Sequence, residues 1–395
     1  MKRSRFTFII LSIVILIFSA CVENNNSSQE RGDLISSSVI NTYSIAEIRQ
    51  LWSNLGIDYS FGLRYPVDAI RIVYQTVDVN SKPTQASGAL IVPGSDQSFP
   101  LMSLQHGTES KRNLVASESP LNSVEGIAGL YMSSLGYLVS IPDYLGFGIS
   151  TLRHPYCHAQ SNAIASIDFI RASQQYCQEN GINTNGQLFL TGYSEGGYIT
   201  LALQKEIEQN YSGEFTITAV APMAGPYDLY GMIRDVFRRS SYIDLGYIGY
   251  LFTAYNEIFG WNRLNDIFKS PYGDLMNNLF NGSLTWGQIV SQLPGTFNQL
   301  VKTGFRNDFL NGIEPEISSA FQQNTLLNWS PQAPIRFFHG NADQIVSYQN
   351  ALTAVTNLEN NGANNISLIT IYGGTHDTAA AESFIGMILW FDQFN

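Results

Sequence analysis

The sequence predicts an α/β fold, with helices on both sides of a mostly parallel central sheet and a helical segment inserted into that sheet. From residue 67 onward, strand-like and helix-like segments alternate, which is typical of parallel sheets covered by helices. The alternation stops between about residues 229 and 330, where aromatic, Leu and Ile residues are scattered among Asn and Gly. Pro271, Pro294 and Pro315 divide this stretch into short helical pieces. We therefore expect a helical cap between the sixth and seventh strands.

The predicted strands are short apolar runs bounded by turn residues. Residues 67–79 and 86–92 are expected to form an antiparallel pair that opens the sheet. The other expected strands, in chain order, are residues 101–105, 138–142, 188–193, 217–222, 335–338 and 366–372. Helices are expected between them, over residues 124–135, 159–178, 197–210, 349–360 and 379–394.

The N-terminus has the pattern of an export signal. Lys2, Arg3 and Arg5 precede an apolar run over residues 6–18, and small residues follow that run. The run is shorter than the roughly 18 to 20 residues that a membrane-spanning helix needs. We therefore expect a cleaved signal peptide over residues 1–20.

Cys21 directly follows Ser19 and Ala20, and this arrangement resembles a bacterial lipobox. The resemblance implies that the Cys21 thiol receives a diacylglycerol and becomes the mature N-terminus. Phe18 departs from the lipobox pattern, in which Leu is usual at that position. The alternative is an ordinary signal peptide that happens to precede a cysteine.

The chain after the signal is expected to divide into two parts. Residues 21–42 include polar runs with nothing to bury, so we expect a tether between a membrane and a globular body. Residues 43–395 show no second linker and no repeat, so we expect one domain that contains the cap at about 229–330. These expectations place the protein outside the cytoplasm as a membrane-anchored lipoprotein, either periplasmic or on the cell surface.

Charge and motif content argue against several classes of function. The chain carries 21 basic and 32 acidic residues, a net charge of −11, so nucleic acid is not an expected partner. The sequence contains no phosphate-binding loop, and its five histidines are scattered. We therefore expect no metal and no cofactor.

Cys157 and Cys177 could pair if Cys21 carries a lipid. The residues between them are expected to be mostly helix, which would separate their Cα atoms by up to ~30 Å. A disulfide allows only ~4.4 to 6.8 Å. We therefore expect both thiols to stay free.

The strongest functional signal is a Gly-x-Ser-x-Gly turn centred on Ser194. An apolar strand runs into Gly192-Tyr193-Ser194-Glu195-Gly196, and a helix follows. This strand–turn–helix context is that of a nucleophile elbow, in which side chains at the two glycines would collide with neighbouring elements. Without that context, a Gly- and Ser-rich turn would be weak evidence. The pattern predicts that Ser194 is a nucleophile.

A serine nucleophile needs an imidazole base, and in this arrangement the base comes late in the chain. His376 is the one histidine that lies late and alone in a loop after a strand. His339 abuts Gly340 directly after a strand, where we expect it to shape a loop. His154 and His158 precede the elbow. We therefore expect His376 to be the base.

A carboxylate must hold the imidazole in the correct tautomer. Asp343 lies in a turn after a predicted strand and 33 residues before His376, which makes it our expected acid. Asp343 could instead only cap the next helix. Asp228 is the rival acid, one strand earlier in the chain. Asp377 is adjacent to His376 and cannot easily face its ring.

Two backbone N–H donors are needed to stabilise a tetrahedral oxyanion. We expect the first from Glu195, the residue after the nucleophile. The second should come from the loop that follows the strand at residues 101–105. Thr108 is our choice in that loop, and Glu109 is the next candidate.

Together these motifs resemble the secretory lipase family of α/β-hydrolases. The resemblance rests on the elbow at residues 192–197, the late Asp343 and His376, the segment at residues 142–148 and the long insertion before the acid. It extends from about residue 67 to the C-terminus. It implies hydrolysis of acyl esters, with a small-molecule ester or a lipid as substrate. It also implies that the aromatic-rich insertion caps the acyl pocket.

Two other functions remain open at the level of sequence. Prolyl-oligopeptidase-like peptidases share both the fold and the elbow, so the same residues could cleave peptides. The chain could also be a surface lipoprotein that keeps the scaffold only to bind a ligand.

Overall fold

A computed structural model describes residues 29–54 and 62–394, and a single nine-stranded sheet runs through this part of the chain. The sheet confirms the predicted α/β class. Its strands are β1 (Leu34–Tyr43), β2 (Val67–Val77), β3 (Pro83–Pro93), β4 (Phe99–Gln105), β5 (Leu138–Pro142), β6 (Thr184–Tyr193), β7 (Ala219–Met223), β8 (Ile335–Gly340) and β9 (Ile366–Ile371).

The spatial order of the strands is β1-β2-β3-β5-β4-β6-β7-β8-β9. The pairs β1/β2, β2/β3 and β3/β5 are antiparallel, and the five remaining pairs are parallel. Because β4 and β6 to β9 are parallel, the loops that leave their carboxyl ends meet at one edge of the sheet. Ligand sites in open parallel sheets form at this edge.

Helices cover both faces of the sheet. They are α1 (Ile45–Asn54), α2 (Val124–Leu135), α3 (Ala159–Glu179), α4 (Glu195–Asn210), α5 (Leu229–Arg239), α6 (Leu245–Ile258), α7 (Leu264–Ile267), α8 (Tyr272–Leu279), α9 (Trp286–Val290), α10 (Phe297–Leu300), α11 (Thr303–Leu310), α12 (Pro315–Gln323), α13 (Tyr348–Asn360) and α14 (Ala379–Phe391). Short 3₁₀ helices span Pro120–Asn122 and Asp392–Phe394.

Two apolar cores enclose the sheet. One packs α1, α2 and α14 against one face, and the other packs α3, α4 and α13 against the opposite face and continues into the cap. The cap consists of α5 to α12, all between β7 and β8, which are the sixth and seventh of the strands predicted from sequence. The predicted position of the helical insertion is therefore confirmed. Cys157 and Cys177 are both buried and free, as expected.

The predicted tether over residues 21–42 is wrong in its last part, because Leu34–Tyr43 forms the edge strand β1. This strand pairs with β2 from Leu34↔Tyr74 to Tyr43↔Val67. Most of its side chains are exposed, so its polar composition resembles that of a linker. An edge strand is held by backbone hydrogen bonds, which composition does not reveal.

The segment just before β1 is also fixed to the domain. The Arg31 guanidinium contacts the buried Asp168 carboxylate twice, at 3.1 Å from Nε to Oδ2 and 3.0 Å from Nη2 to Oδ1. The Gly32 N–H donates to the Gln75 carbonyl at 2.8 Å. The globular domain therefore begins before residue 43. The predicted signal peptide at residues 1–20 and Cys21 lie outside the described residues.

Within the described ranges, no helix combines the length and the apolar character that crossing a bilayer requires.

Arg31→Ala tests whether this N-terminal segment belongs to the domain. Asp168 keeps Arg171 and Thr76 as partners but loses a two-point contact, so we expect the free energy of unfolding to fall by about 1.5–3 kcal/mol. Urea denaturation followed by tryptophan fluorescence measures the change. Arg49→Ala, which alters an exposed arginine on α1, is the control. Equal losses of unfolding free energy in Arg31→Ala and Arg49→Ala would contradict the assignment of this N-terminal segment to the domain.

Candidate active site

Ser194 lies in a strained turn between β6 and α4. Its φ and ψ are 58° and −122°, a region that L-residues rarely adopt. The Ser194 N–H donates to the Met223 carbonyl at 2.9 Å, which fastens the turn to the end of β7. The packed strands and helix on either side of the turn thus hold the serine at the carboxyl edge of the sheet.

The glycines of this turn are required by close backbone contacts. A Cβ atom on Gly192 would lie 2.6 Å from the Gln105 carbonyl oxygen, and one on Gly196 would lie 2.2 Å from the same atom. A Cβ atom on Gly197 would lie 2.2 Å from the Met223 carbonyl oxygen. Real Cβ contacts are longer than 3.0 Å, so each position needs hydrogen. The collisions expected from the sequence are present.

Hydrogen bonds connect Ser194, His376 and Asp343 in one chain. The His376 Nε2 atom lies 2.8 Å from the Ser194 hydroxyl oxygen, and its Nδ1 atom lies 2.7 Å from Asp343 Oδ2. His376 comes from the loop between β9 and α14, and Asp343 comes from the loop after β8. A carboxylate only accepts, so Nδ1 donates to Asp343 and Nε2 is left to accept the serine proton.

The surroundings of Asp343 favour its charged form. Its Oδ1 atom accepts the backbone N–H groups of Ile345 and Val346, each at 2.9 Å. Burial alone would raise the pKa of Asp343. Hydrogen bonds from His339 and His376 outweigh burial and hold that pKa at about 2. The carboxylate is therefore ionised at neutral pH.

His339 also contacts Asp343, which was not expected from the sequence. His339 Nε2 lies 3.2 Å from Asp343 Oδ2 and 2.8 Å from the Val346 carbonyl oxygen. The second contact closes the loop after β8, which is the role expected of this histidine. The first gives the Asp343 carboxylate a second imidazole neighbour. The spacing of four residues between His339 and Asp343 was the only sequence signal for this contact.

Asp228, the rival acid, has a different set of contacts. Its carboxylate accepts the Gly231 N–H at 2.9 Å and caps the N-terminus of α5. Burial raises the pKa of Asp228. The imidazole of His376 is hydrogen-bonded to Asp343 instead.

Glu195 has a buried partner that the sequence did not indicate. Its Oε1 atom lies 2.8 Å from Nε2 of His154, and both side chains are almost fully buried. The other ring nitrogen of His154, Nδ1, lies 2.9 Å from the Leu145 carbonyl oxygen and must donate to it. Nε2 and Oε1 therefore share a further proton, carried by the imidazole or by the carboxyl group. The pair fixes the first residue of α4 to the loop after β5.

The two expected oxyanion donors are both open. The backbone N–H groups of Glu195 and Thr108 have no hydrogen-bond acceptor among the described residues. In the same loop, the Gly107 N–H is already occupied, because it donates to Glu125 Oε1 at 2.8 Å. The Thr108 hydroxyl lies 3.0 Å from the Tyr156 hydroxyl, which fixes the position of the loop.

A buried aspartate supports this loop from behind. Asp143 accepts hydrogen bonds from the Ser87 hydroxyl, at 2.6 Å, and from the Ser117 hydroxyl. The Asp143 backbone carbonyl oxygen lies 3.1 Å from His106 Nε2. Burial raises the pKa of Asp143. The segment at residues 142–148 thus shapes the wall beside the serine.

An open cleft of about 500 Å³ lies in front of these groups. Thr108, Ser194 and His376 all line it. A serine hydroxyl bonded to an imidazole, with the open Thr108 N–H at the same cleft, is an arrangement suited to acyl transfer.

Comparisons with known proteins point to lipases and esterases. The sequence model of the secretory lipase family matches residues 127–393. A secreted triacylglycerol lipase of Malassezia furfur is 24% identical over 320 residues, which cover 74% of this chain and 57% of the relative. Lipase 10 of Candida albicans is 24% identical over 229 residues, which cover 55% of this chain and 46% of the relative. The chain thus spans about half the length of the curated relatives it matches.

Solved structures with a similar fold cover most of this chain. The rice cell wall degrading esterase LipA of Xanthomonas oryzae superposes with a TM-score of 0.81 at 27% identity, covering 90% of this chain and 95% of LipA. A putative hydrolase of Legionella pneumophila gives a TM-score of 0.82 at 23% identity, covering 91% of this chain and 98% of that protein. The second likeness concerns the fold alone.

His154→Ala tests the buried pair behind the elbow. The substitution leaves the Glu195 carboxyl group buried without its imidazole, so we expect the free energy of unfolding to fall by about 3–5 kcal/mol. Urea denaturation measures the loss. The double variant His154→Ala, Glu195→Gln replaces the ionisable group with a neutral amide and should recover part of the stability. A double variant no more stable than the single one would contradict the pairing.

Proposed function

The chain belongs to the secretory lipase family, and from this membership and the geometry around Ser194 we propose that it is a serine hydrolase that cleaves carboxylic esters. The observation that carries the proposal is the hydrogen-bond chain from the Ser194 hydroxyl through His376 to Asp343. An esterase, LipA, and a triacylglycerol lipase among the similar proteins support the ester as the substrate.

In the proposed mechanism, His376 Nε2 takes the hydroxyl proton of Ser194 as the serine oxygen attacks the ester carbonyl carbon. The carbonyl oxygen becomes an oxyanion, which accepts hydrogen bonds from the backbone N–H groups of Glu195 and Thr108. The C–O bond to the alcohol then breaks, and the alcohol leaves with the proton from Nε2. An acyl-enzyme on Ser194 remains.

The second half of the reaction repeats these steps with water. His376 takes a proton from water, the resulting hydroxide attacks the acyl carbon, and Ser194 leaves with the proton as the acid is released. Asp343 keeps the imidazole in one tautomer and stabilises its protonated form throughout. Its low pKa, about 2, supports this role, since the carboxylate does not compete for the proton.

Turnover of 4-nitrophenyl esters tests the proposed activity. We expect the native protein to hydrolyse them and Ser194→Ala to lose at least ~10³-fold in kcat, because the nucleophile is removed. A fluorophosphonate probe should label the native protein and fail to label Ser194→Ala.

Proline-containing peptide nitroanilides, run in parallel, separate ester from peptide hydrolysis. Strong amide cleavage with weak ester turnover would contradict the proposed esterase activity and indicate a peptidase. A native protein that the probe leaves unlabelled would remove catalysis altogether.

We also propose that the protein is an extracytoplasmic lipoprotein, with residues 1–20 as its signal peptide and a diacylglycerol on Cys21. The polar segment that would join the lipid to the domain is shorter than the sequence suggested, since Arg31 is already bound to Asp168. About nine residues can span at most roughly 30 Å, so the anchor would hold the domain close to the membrane surface.

Cys21→Ala tests the anchor. In a bacterial host, the native protein should incorporate radiolabelled palmitate and sediment with membranes. The variant should lose the label and appear in the soluble fraction, with unchanged ester turnover per molecule. Membrane association of the unlabelled variant equal to that of the native protein would contradict a lipid anchor.

A further inference from the structure

Two spaces of different character meet at Ser194. The first is the open cleft of about 500 Å³. The second is a narrow pocket beneath the cap, more enclosed than the cleft, which measures about 20 Å³ as space open to the centre of a water-sized sphere. Ser194 and Tyr247 line both spaces, so Tyr247 lies at the boundary between them.

The position of His376 decides which part of an ester enters which space. The leaving alcohol must receive its proton from His376 Nε2, and His376 lines the open cleft but not the narrow pocket. The alcohol therefore lies in the cleft. The narrow pocket touches Ser194 and Glu195, next to the carbon that the serine attacks, so it receives the acyl chain.

The walls of the pocket are apolar and well packed. They come from α5, α6 and the loop after β8, and the cap contributes Leu229, Ile233, Ile248 and Leu251, all at most 2% exposed. An acyl chain can enter such a pocket only as far as free volume exists, because an overpacked core forces side chains off their rotamers.

Hydrogen bonds also hold the polar walls in place. The Tyr242 hydroxyl donates to the Ile345 carbonyl oxygen at 2.7 Å, which ties the cap to the loop that carries Asp343. The Tyr156 hydroxyl lies 3.0 Å from the Thr108 hydroxyl. These contacts join the pocket walls to the loops of the catalytic groups, so widening the pocket would disturb the site itself.

About 10–15 Å³ on the same measure is enough for one water molecule. A pocket of 20 Å³ therefore has room for a group of about one or two carbon atoms. The cleft, by contrast, falls within the range of about 300–1,000 Å³ that accommodates a drug-sized molecule.

We propose that the enzyme is selective for esters of very short acids, acetyl and propionyl, with large alcohols. This inference rests on the proposed ester hydrolysis at Ser194. It adds that the acyl side of the ester is limited in size and the alcohol side is not. The narrow pocket limits the acyl chain, and the open cleft admits a bulky alcohol.

The acyl selectivity is tested with 4-nitrophenyl acetate, propionate, butyrate, octanoate and dodecanoate, which share one alcohol. We expect kcat/KM of the full-length protein to be highest for acetate or propionate. The first methylene that does not fit should lower kcat/KM by about tenfold or more. Octanoate or dodecanoate cleaved as efficiently as acetate would overturn the inference.

Leu251→Ala should enlarge the pocket, since Leu251 lines it from α6. We expect the ratio of kcat/KM for butyrate to that for acetate to rise at least about tenfold. Leu245→Ala is the matched control, because Leu245 is a buried leucine of the same helix that does not line the pocket. An unchanged ratio in Leu251→Ala, or an equal rise in Leu245→Ala, would contradict the assignment.

Ile248→Val provides a milder variant that removes one methyl group from the same wall, and it should shift the ratio in the same direction. If Leu251→Ala does not fold and Ile248→Val leaves the butyrate-to-acetate ratio of kcat/KM unchanged, the inference fails. Failure of the proposed function is distinct: no ester would then be cleaved beyond the rate of Ser194→Ala. Cleavage of all chain lengths alike removes only the acyl selectivity.

Discussion

The close approach of the serine turn to its neighbouring strands is the constraint on which the rest of the site depends. The turn leaves no room for side chains at Gly192 and Gly196, because the end of β4 passes directly beside them. At the other side, the Ser194 N–H is bonded to the end of β7. The loop after β4, the serine and the loops after β8 and β9 are thereby brought to one edge of the sheet. Displacing any of these strands would move a group that contacts Ser194 or His376.

Polar groups around the serine are held in position by close contacts with one another. The Asp343 carboxylate accepts from two backbone N–H groups and lies against two imidazoles, so it has no tendency to bind a proton itself. On the other side of the turn, His154 and Glu195 hold a proton between them in an almost fully buried environment. These contacts orient the groups before any substrate binds, which limits the reorganisation that a reaction requires.

The sequence predicted the parts of this protein that depend on local pattern. The elbow, the alternation of strands and helices and the helical insertion all have signatures within short windows. Asp343 and His376 were chosen as acid and base from chain order and loop position, and these roles remain predictions, although both side chains lie in one hydrogen-bond chain with Ser194. Thr108 remains a prediction: its backbone N–H is open, but an open donor does not identify an oxyanion site.

The features that sequence reasoning missed depend on contacts between distant segments. β1 is a polar edge strand whose stability comes from backbone pairing with β2, so its composition resembles a linker. His154 is 41 residues from Glu195 in the chain, and nothing in either local pattern links the two. The sequence also could not show which aromatic residues of the cap line the pocket and which form the core of the cap. Phe252 and Tyr255 belong to the core of the cap, whereas Tyr242 and Tyr247 line the pocket.

The order of the elements along the chain has a consequence for biosynthesis. Ser194 is synthesised long before the loop between β9 and α14 that supplies His376. In the proposed mechanism, an incomplete or still unfolded chain therefore has a serine hydroxyl without its imidazole base. The proposed activity would then arise only when the last strand and helix have joined the sheet. If the protein is exported as proposed, this dependence on the C-terminus would protect the esters of the producing cell until translocation is complete.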